Sequence, residues 1–339
     1  MDVTPGARGT ARLWHYTEEA LAAVAVWTER IAGKGEDADP LVLLHRPSRS
    51  GLLAVFDGVG GAGRAPAGRT PSGQLRTQAW LASRRARALV EEWFTDATTA
   101  IAPNVLAAHL GNRLGAGVVR PRRIRGKLQR ELPTTFAGLI FEVADGQAAW
   151  QVLWAGDSRC YVAEPRGGLQ QLSLDDTETG DALELLLQDP PMTNLVQAGG
   201  PFQIRGSRGS ARLPCLLITA TDGFFGYVGT PAEFEYALWE TLLSAQDAMH
   251  WSVLLTEKVQ SYTQDDASIA IVALGFEDFS VVRASFRARF DRLREEHAEP
   301  MRRAAAGGRT ALVETRKRSW LAYREYYERR LPPREGSDS

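Results

Sequence analysis

The stretch LAVFDGVGGAGR, residues 53–64, decides the fold and raises the question of function. An apolar run typical of a buried strand ends at a single acid, Asp57, and a cluster of glycines follows at once. Because glycine has no Cβ, the backbone beside Asp57 can approach a ligand closely. A lone acid before a glycine usually marks only a turn, so the pattern gains meaning by repetition.

The same device occurs at three other strand-like runs. Asp222 follows CLLITAT, Asp157 follows VLWAG, and the pair Asp265 and Asp266 precedes ASIAIVAL. If these strand ends converge, the acids form a cluster that cannot stay fully ionised without cations. Oxygen ligands with no His or Cys nearby in sequence select hard ions such as Mg²⁺ or Mn²⁺. The sequence therefore predicts a divalent-metal site.

The order of the strands and helices indicates the fold class. Strand-like runs come in clumps separated by two to five residues rich in Gly, Asp or Ser, which is hairpin spacing and predicts antiparallel pairing. Amphipathic helical blocks lie between the clumps. We expect an α+β sandwich with sheets face to face and helices outside. The strands are expected at 40–46, 51–57, 134–144, 148–156, 159–164, 168–174, 214–222 and 267–276, and the helices at 72–97, 104–114, 231–246 and 248–262.

Charge and cysteine content limit the classes of function. The 339 residues carry a net charge of −1, which gives no general reason to bind nucleic acid or a membrane. Cys160 and Cys215 lie 55 positions apart with no spaced partners, so we expect two buried free thiols. There is no signal-peptide pattern and no long apolar window, from which we expect a cytoplasmic protein.

Five motifs, in order, carry a resemblance: VFDGVGG, TTFAGLIF, WAGDSRCYV, TATDGFF and DDASIAIV. The series resembles the metal-dependent Ser/Thr protein phosphatases of type 2C (PPM-type), especially the bacterial branch, over about residues 30–276. The resemblance implies a four-layer α-β-β-α sandwich with two Mn²⁺ or Mg²⁺ ions at one edge of the sheets. It also implies hydrolysis of phosphoserine and phosphothreonine by a metal-activated water, with phosphoproteins, the targets of a Ser/Thr kinase, as substrates.

The resemblance assigns the metal ligands residue by residue. Asp57 would bridge the two metals, and the carbonyl of Gly58 would ligate one of them. Asp222 and Asp265 would hold the other metal. The hydroxyl pair Thr134 and Thr135 matches a pair in the family, which we interpret as structural.

The first acidic motif departs from the family pattern. Glu36 and Asp37, in GKGEDADPL, would act mainly through metal-bound water, and Gly35 stands where the family often has Asn. The phosphate-gripping Arg that precedes this motif in the family has no match at the usual spacing. Arg30 and Lys34 are the nearby bases, and we assign them this part.

A third metal site is incomplete. In family members that have it, one ligand is the acid of the GDSR motif, here Asp157, and another lies four residues after the equivalent of Asp222, here Gly226. A third ion should therefore bind poorly or not at all. Among the histidines, only His45 is a candidate general acid, and we favour a structural or exposed role for it over this one.

Residues 281–339 lie outside the resemblance and form a second unit after the phosphatase-like unit at 1–280. They contain 15 basic and 9 acidic residues, so the body carries about −7. Two apolar triplets at helical spacing, Phe286/Phe290/Leu293 and Trp320/Tyr323/Tyr327, predict two helices with one apolar face each. We expect the tail to dock on the body, with capture of a partner protein as the alternative.

Two other functions compete with the enzyme. A catalytically weak relative could bind phosphoproteins or a partner, as Gly226 and the irregular first motif allow. A nucleic-acid binder using the basic tail is disfavoured because acids interleave with the arginines. Substrate recognition would depend on the loops at 120–132 and 175–200, and the oligomeric state cannot be read from the sequence.

Overall fold

A computed structural model describes residues 10–70, 72–96, 101–116, 130–177 and 191–333. Within these ranges the strands are β1 (Ala11–Glu18), β2 (Leu21–Thr28), β3 (Leu41–His45), β4 (Ser50–Val55), β5 (Pro66–Arg69), β6 (Leu75–Thr77), β7 (Glu131–Thr134), β8 (Phe136–Ala144), β9 (Gln147–Ala155), β10 (Arg159–Glu164), β11 (Gly168–Gln171), β12 (Val196–Ala198), β13 (Arg205–Arg212), β14 (Cys215–Ala220) and β15 (Ala267–Leu274).

The helices in the same ranges are α1 (Gly60–Gly63), α2 (Gln78–Thr95), α3 (Pro103–Arg113), α4 (Asp222–Phe225), α5 (Pro231–Ser244), α6 (Ala248–Gln260), α7 (Phe279–Leu293), a π-helical turn (Arg294–Ala298), α8 (Glu299–Ala306) and α9 (Arg309–Tyr327). Several of these helices begin with a side-chain N-cap. Thr77, for example, accepts a hydrogen bond from the backbone N–H of Trp80 at the start of α2.

Two antiparallel sheets form the centre of the protein. The six-stranded sheet has the order β1-β2-β15-β14-β10-β11, and the five-stranded sheet has the order β13-β9-β8-β4-β3. They pack face to face, and side chains of both fill the layer between them, among them Leu53, Leu139, Val152, Val162 and Leu217. This arrangement buries the inward-pointing half of each strand.

Helices cover both outer faces of the sandwich. Helices α2 and α3 pack on the five-stranded sheet, where Val90 and Leu106 join Leu52 and Phe136 in one buried cluster. Helices α5 and α6 and the C-terminal helices pack on the six-stranded sheet. The predicted α+β, four-layer α-β-β-α class with a C-terminal helical extension is thus confirmed.

The sequence pattern missed three main strands. β1 and β2 form a hairpin, and β2 lies inside the six-stranded sheet beside β15. The alanines of β2 give a weak strand signal, and β13, RGSRGSAR, has no apolar alternation. The helix expected at 72–97 begins only at Gln78, because β6 occupies Leu75–Thr77 and Thr77 caps the helix.

The C-terminal helices dock on the body as expected. Phe286 stacks on Trp239 of α5 with ring centroids 4.2 Å apart, and Phe290 stacks on Tyr236 at 5.0 Å. Trp320 and Tyr327 are buried in the same cluster as α5. The alternative, a tail whose apolar faces await a partner, is therefore wrong for these residues.

Two further observations concern the burial of the cysteines and the length and polarity of the helices. Cys160 and Cys215 are both free and buried, as expected, and burial raises the pKa of each thiol. In the described ranges, every helix is too short or too polar to cross a bilayer.

Candidate active site

Strand ends from both sheets meet at one edge of the sandwich. The registers place the last residues of β2, β14, β4 and β9 opposite the first residues of β15, β10 and β8. The opposed pairs are Thr28 with Ala267, Ala220 with Arg159, Val55 with Ala137 and Ala155 with Phe136. The acids that follow or precede these ends, which sequence spacing alone could not bring together, therefore share one edge.

Asp37 and Asp57 are the two acids of this cluster whose pKa values are raised most clearly. Burial raises the pKa of Asp37 well above its ordinary value, and the Asp266 and Asp222 carboxylates raise it further. Burial likewise raises the pKa of Asp57, with added repulsion from Asp37 and other acids of the cluster, while their two carboxyl groups are within hydrogen-bonding reach. The hydroxyls of Thr221 and Ser268 donate hydrogen bonds to the Asp37 carboxylate at 3.0 and 3.1 Å, and a shared proton or a cation would offset the negative charge that the pair still holds.

Asp157, Asp222 and Asp265 surround this pair. The charges of Asp157 and Asp265 raise the pKa of Asp57, and that of Asp222 raises the pKa of Asp37. Asp265 lies at the exposed rim, where desolvation by nearby protein atoms and the neighbouring Asp266 raise its own pKa. The predicted metal ligands thus come from four strand ends into one electrostatically coupled group.

Thr134 and Thr135 fix the backbone of Asp57. The Thr134 hydroxyl and the Thr135 N–H both donate to the Asp57 carbonyl, at 2.7 and 2.8 Å. The Asp57 N–H donates to the Thr135 hydroxyl at 3.1 Å, and that hydroxyl also bonds Ser158, beside Asp157, at 2.7 Å. The structural interpretation of this hydroxyl pair is confirmed.

Glycines let the backbone of this edge close up. A Cβ on Gly58 would lie 2.5 Å from the Glu36 carbonyl oxygen, and one on Gly60 would meet the Glu36 carboxylate. A Cβ on Gly223 would collide with the Asp266 carbonyl. The glycines after Asp57 and Asp222 are therefore required by tight packing of the loops that carry the acids.

Asp266 has a positioning role that sequence reasoning did not assign. Its carboxylate accepts hydrogen bonds from the backbone N–H groups of Arg30 at 2.9 Å and of Glu36 at 2.6 Å. It thereby holds the loop of the first acidic motif against the start of β15. The second acid of DDAS was the available signal, but its partners lie more than 200 positions away.

Arg84 is a second residue that the sequence pattern did not single out. Its guanidinium donates to the carbonyls of Glu36 and Gly35, at 3.1 and 3.3 Å, and stacks over Trp80 with 4.4 Å to the ring centroid. Burial lowers its pKa to about 10. Thr77 donates to the Glu36 carboxylate from the same helix start. Helix α2 therefore helps to shape the first acidic motif.

The predicted phosphate-gripping bases differ in their positions. Arg30 is exposed. Burial raises the pKa of both Asp265 and Tyr227, and the positive charge of Arg30 opposes this rise at both groups, which locates Arg30 near the acidic cluster. The Tyr227 hydroxyl donates to Asp265 at 3.4 Å, so this tyrosine also belongs to the rim. Lys34 is exposed on the loop before Glu36.

His45 lies away from the cluster, so the general-acid hypothesis for this residue is wrong. The hairpin register pairs His45 with Ser50 at the start of β4, whereas Asp57 follows the other end of that strand. At ~3.3 Å per residue the separation along the strand is on the order of 20 Å. The His45 ring instead bonds the Ser48 hydroxyl at 2.6 Å.

Two further predictions concern the third metal site at Gly226 and the recognition loops. Gly226 caps α4 and donates its N–H to the Asp222 carbonyl at 2.5 Å, so no side chain stands where the family places a third-metal ligand. The recognition loop expected at 120–132 lies mostly outside the described residues, which omit 117–129, and so does half of the loop expected at 175–200, namely 178–190.

The fit of this site to a metal ion depends on its donors. Within the described ranges, no three His, Cys, Asp or Glu side chains already stand as a ligand set for a metal ion. The carboxylates Asp37, Asp57, Asp157, Asp222 and Asp265 are nevertheless hard oxygen donors, and burial, followed by repulsion from neighbouring acids, raises the pKa of Asp37 and Asp57. Their chemistry fits Mg²⁺ or Mn²⁺.

No family model and no curated protein matches the sequence. Among solved structures, the chain is similar to the Mycobacterium tuberculosis serine/threonine phosphatase PstP/Ppp, with 15% identity, a TM-score of 0.48, and 78% of this chain and 98% of that chain covered. It is similar to Stp1 of Staphylococcus aureus (16%, TM-score 0.46, 81% and 98% covered). It is also similar to the catalytic domain of PstP in complex with two manganese ions (16%, TM-score 0.45, 78% and 98% covered). All three are Ser/Thr phosphatases, the kind of protein that the motif series resembles.

Proposed function

We propose that this protein is a metal-dependent serine/threonine phosphoprotein phosphatase. The observation that carries the proposal is the meeting of four acids from four strand ends with Asp37 of the β2–β3 loop, whose carboxyl group is within hydrogen-bonding reach of that of Asp57. Buried like charges destabilise a fold unless a ligand offsets them. A divalent cation is the ligand that such a group of carboxylates suits.

We further propose which residues would hold the metals. Asp57 and the Gly58 carbonyl would serve one ion, and Asp57, Asp222 and Asp265 the other, with Asp37 and Glu36 acting through water. Bound Mn²⁺ or Mg²⁺ would supply an activated water and neutralise charge on the phosphoryl oxygens. A third ion would bind poorly or not at all, because Gly226 supplies no carboxylate to complement Asp157.

The chain's own residues would prepare the site for substrate. Thr134 and Thr135 hold Asp57 through its backbone, and Asp266 holds the loop that carries Glu36 and Asp37. Arg30, whose charge reaches Asp265, is placed to attract the phosphate dianion of a phosphoserine or phosphothreonine. Lys34 would assist from the neighbouring loop. Cys160 and Cys215 are buried thiols and take no part.

We assign catalysis to residues 1–280 and regard 281–339 as a packed extension. The substrates would be phosphoproteins, targets of a Ser/Thr kinase, in the cytoplasm. Neither nucleic acid nor a membrane is needed to explain the site.

A second function is favoured by one observation. The lack of a preformed ligand set among the described acids, together with Gly226, suits a catalytically weak relative that binds phosphoproteins without turnover. The two functions differ in whether metal addition produces hydrolysis.

The deciding experiment measures hydrolysis of p-nitrophenyl phosphate and of a phosphothreonine peptide with Mn²⁺ and with EDTA. We expect activity only with metal, and a loss of about 100-fold or more in Asp57→Asn and Asp222→Asn, since each removes a ligand. Asp145→Asn is the matched control, because Asp145 is exposed in the β8–β9 turn at the opposite end of β8. Full turnover in EDTA, or native rates in both site variants, would exclude the dinuclear hydrolase, and metal binding without turnover would favour the binding module.

A further inference from the structure

The C-terminal extension builds one wall of a groove that begins at the acidic cluster. The groove has a volume of about 440 Å³ and lies between the loop after α4, helices α5 and α6, and the tail helices α8 and α9. The tail contributes Met301, Arg302, Leu312 and Arg316 to the lining. This surface exists only because the tail is docked.

Two tyrosines connect the groove to the catalytic edge. Tyr227 lines the groove, and its hydroxyl donates to Asp265 at 3.4 Å. Tyr262 also lines it, and its hydroxyl donates to the carbonyl of Phe224 in α4, two residues from Asp222, at 2.6 Å. A chain segment leaving the acidic cluster past Tyr227 therefore enters the groove.

The charge of the groove is opposite to that of the cluster. Three bases line it, Lys258, Arg302 and Arg316, against one acid, Glu233. The Glu233 carboxylate already accepts a hydrogen bond from the N–H of Gly229 at 2.9 Å. Lys258 pairs with Glu240 at 2.6 Å, and the charge of Arg316 acts on the Glu233 carboxylate, where it opposes the rise in pKa that burial causes. The two tail arginines against the one acid Glu233 leave the groove with net positive charge.

The tail arginines retain capacity to bind an anion. Arg302 is exposed and, within the described ranges, makes one hydrogen bond, from Nη2 to the Tyr236 hydroxyl at 3.1 Å. The Nε of Arg316 is shielded from solvent and has no hydrogen-bond partner among the described residues. A carboxylate entering the groove would satisfy that N–H and gain charge-assisted hydrogen bonds. Apolar walls from Val228, Met301 and Leu312 would cover a neighbouring aliphatic side chain.

We propose that this groove binds the acidic flank of the phosphoprotein substrate, so that the tail helices select substrates with Asp or Glu and an aliphatic residue beside the phosphorylated Ser or Thr. The inference rests on the proposed function and deepens it. Charge complementarity and continuity with the acidic edge through Tyr227 identify this occupant. A volume of about 440 Å³ is within the range of specific ligand pockets, roughly 300–1,000 Å³.

The test uses two threonine peptides of the same length, one flanked by Glu and Leu and one with each Glu replaced by Gln. In unphosphorylated, fluorescein-labelled form neither can be turned over, so fluorescence anisotropy reports binding alone. We expect the full-length protein to bind the acidic peptide about fivefold more tightly at low salt, as two partly exposed ion pairs would give. In the double variant Arg302→Gln/Arg316→Gln this preference should vanish.

The matched control is Arg303→Gln/Lys317→Gln, which removes the same charge from the neighbouring positions of α8 and α9. Both residues are exposed and neither lines the groove, so the preference should persist. Equal binding of the two peptides by the native protein, or equal loss in both double variants, would overturn the proposal. Thermal melting verifies that each variant is folded. If the double variant Arg302→Gln/Arg316→Gln is unfolded, the single variant Arg302→Gln, at an exposed site, is measured instead.

Hydrolysis of the phosphorylated peptides separates this inference from the proposed function. For the native protein we expect kcat/KM to favour the acidic peptide, with the ratio falling toward one in Arg302→Gln/Arg316→Gln. The native protein could bind the acidic peptide through these arginines and yet hydrolyse neither the peptides nor p-nitrophenyl phosphate with Mn²⁺. This result would refute the phosphatase proposal and support peptide binding by the groove. Hydrolysis with no peptide preference would leave the phosphatase and remove the groove.

Discussion

Arg289 of the tail forms a two-pronged ion pair with Glu235, which is completely buried in α5. The distances are 2.9 Å from Nε to Oε1 and 2.6 Å from Nη2 to Oε2. The hydroxyl of Tyr323, on the last helix, donates to the same carboxylate at 2.6 Å. One buried acid thus anchors two helices of the extension to the body.

Removing the arginine should destabilise the fold strongly. Arg289→Ala leaves the Glu235 carboxylate buried with its charge uncompensated, which typically costs about 3–5 kcal/mol. Arg287→Ala is the matched control, because Arg287 is exposed on the same helix. Urea unfolding of both variants measures the difference, and a loss in Arg289→Ala no larger than that in Arg287→Ala would contradict this account.

The apolar contacts of the tail should contribute on a similar scale. Phe286 is fully buried and stacks on Trp239, so Phe286→Ala should lower the free energy of unfolding by about 3–5 kcal/mol through lost burial and a cavity. Leu321 on α9 is 61% exposed, and Leu321→Ala should change the free energy of unfolding by less than about 0.5 kcal/mol. Thermal melting of the two variants tests this, and equal melting temperatures would show that the tail contributes little.

His297 should make the tail sensitive to acid. Its ring is buried, bonds Ser319 at 2.8 Å, and has a pKa below the ordinary value because of burial and the charge of Arg289, opposed by Glu296 and Glu235. The unfolded chain then binds the proton more readily, so the contribution to stability is complete above about pH 6.5 and is lost as pH falls through the lowered pKa.

The measurement is the melting temperature at about pH 7.5 and about pH 5.5, on either side of the ordinary histidine pKa. We expect the fall between them to be smaller in His297→Gln than in the native protein. His15→Gln, at an exposed position of β1, should keep the native fall. An unchanged fall in His297→Gln would assign the acid sensitivity to other groups.

Metal stoichiometry should reflect the missing carboxylate at Gly226. We expect two strong ions per chain by calorimetry and by anomalous diffraction, with any third ion weak. Gly226→Asp should strengthen that third site, because it adds the missing carboxylate. A small shift of α4 must accompany the substitution, since a Cβ at this position would lie 2.9 Å from the Asp222 carbonyl oxygen. Gly226→Asn has the same shape without the charge and should not. Three strong ions in the native protein would refute this interpretation of Gly226.

Much of the fold could be predicted because its signals are local. Alternating apolar residues and Gly or Asp turns revealed eight strands and the sandwich class, and spacing by three and four revealed the apolar faces of the tail. Where local signals are weak, prediction failed: the alanine-rich β2 is a central strand, and the polar β13 is an edge strand. Pairing with a neighbour, rather than intrinsic preference, makes these segments strands.

For the candidate site, too, some features could be predicted from the sequence and others could not. The sequence by itself determined that Asp57, Asp157, Asp222 and Asp265 stand at strand ends, since each follows or precedes an apolar run within its own segment. Only the tertiary structure decided that these ends share one edge, and that Asp266 ties down the loop before Glu36.

The same limit applies to His45 and to the groove beside Tyr227. His45 is close to Asp57 in sequence, but a β-hairpin carries it to the opposite end of the strand. Arg316 is remote from Tyr227 in sequence, yet both line one groove because the tail folds back on the body. The physical reason is that side-chain patterns report which face of a segment is buried, whereas strand register and helix docking are set by contacts between segments far apart in the chain.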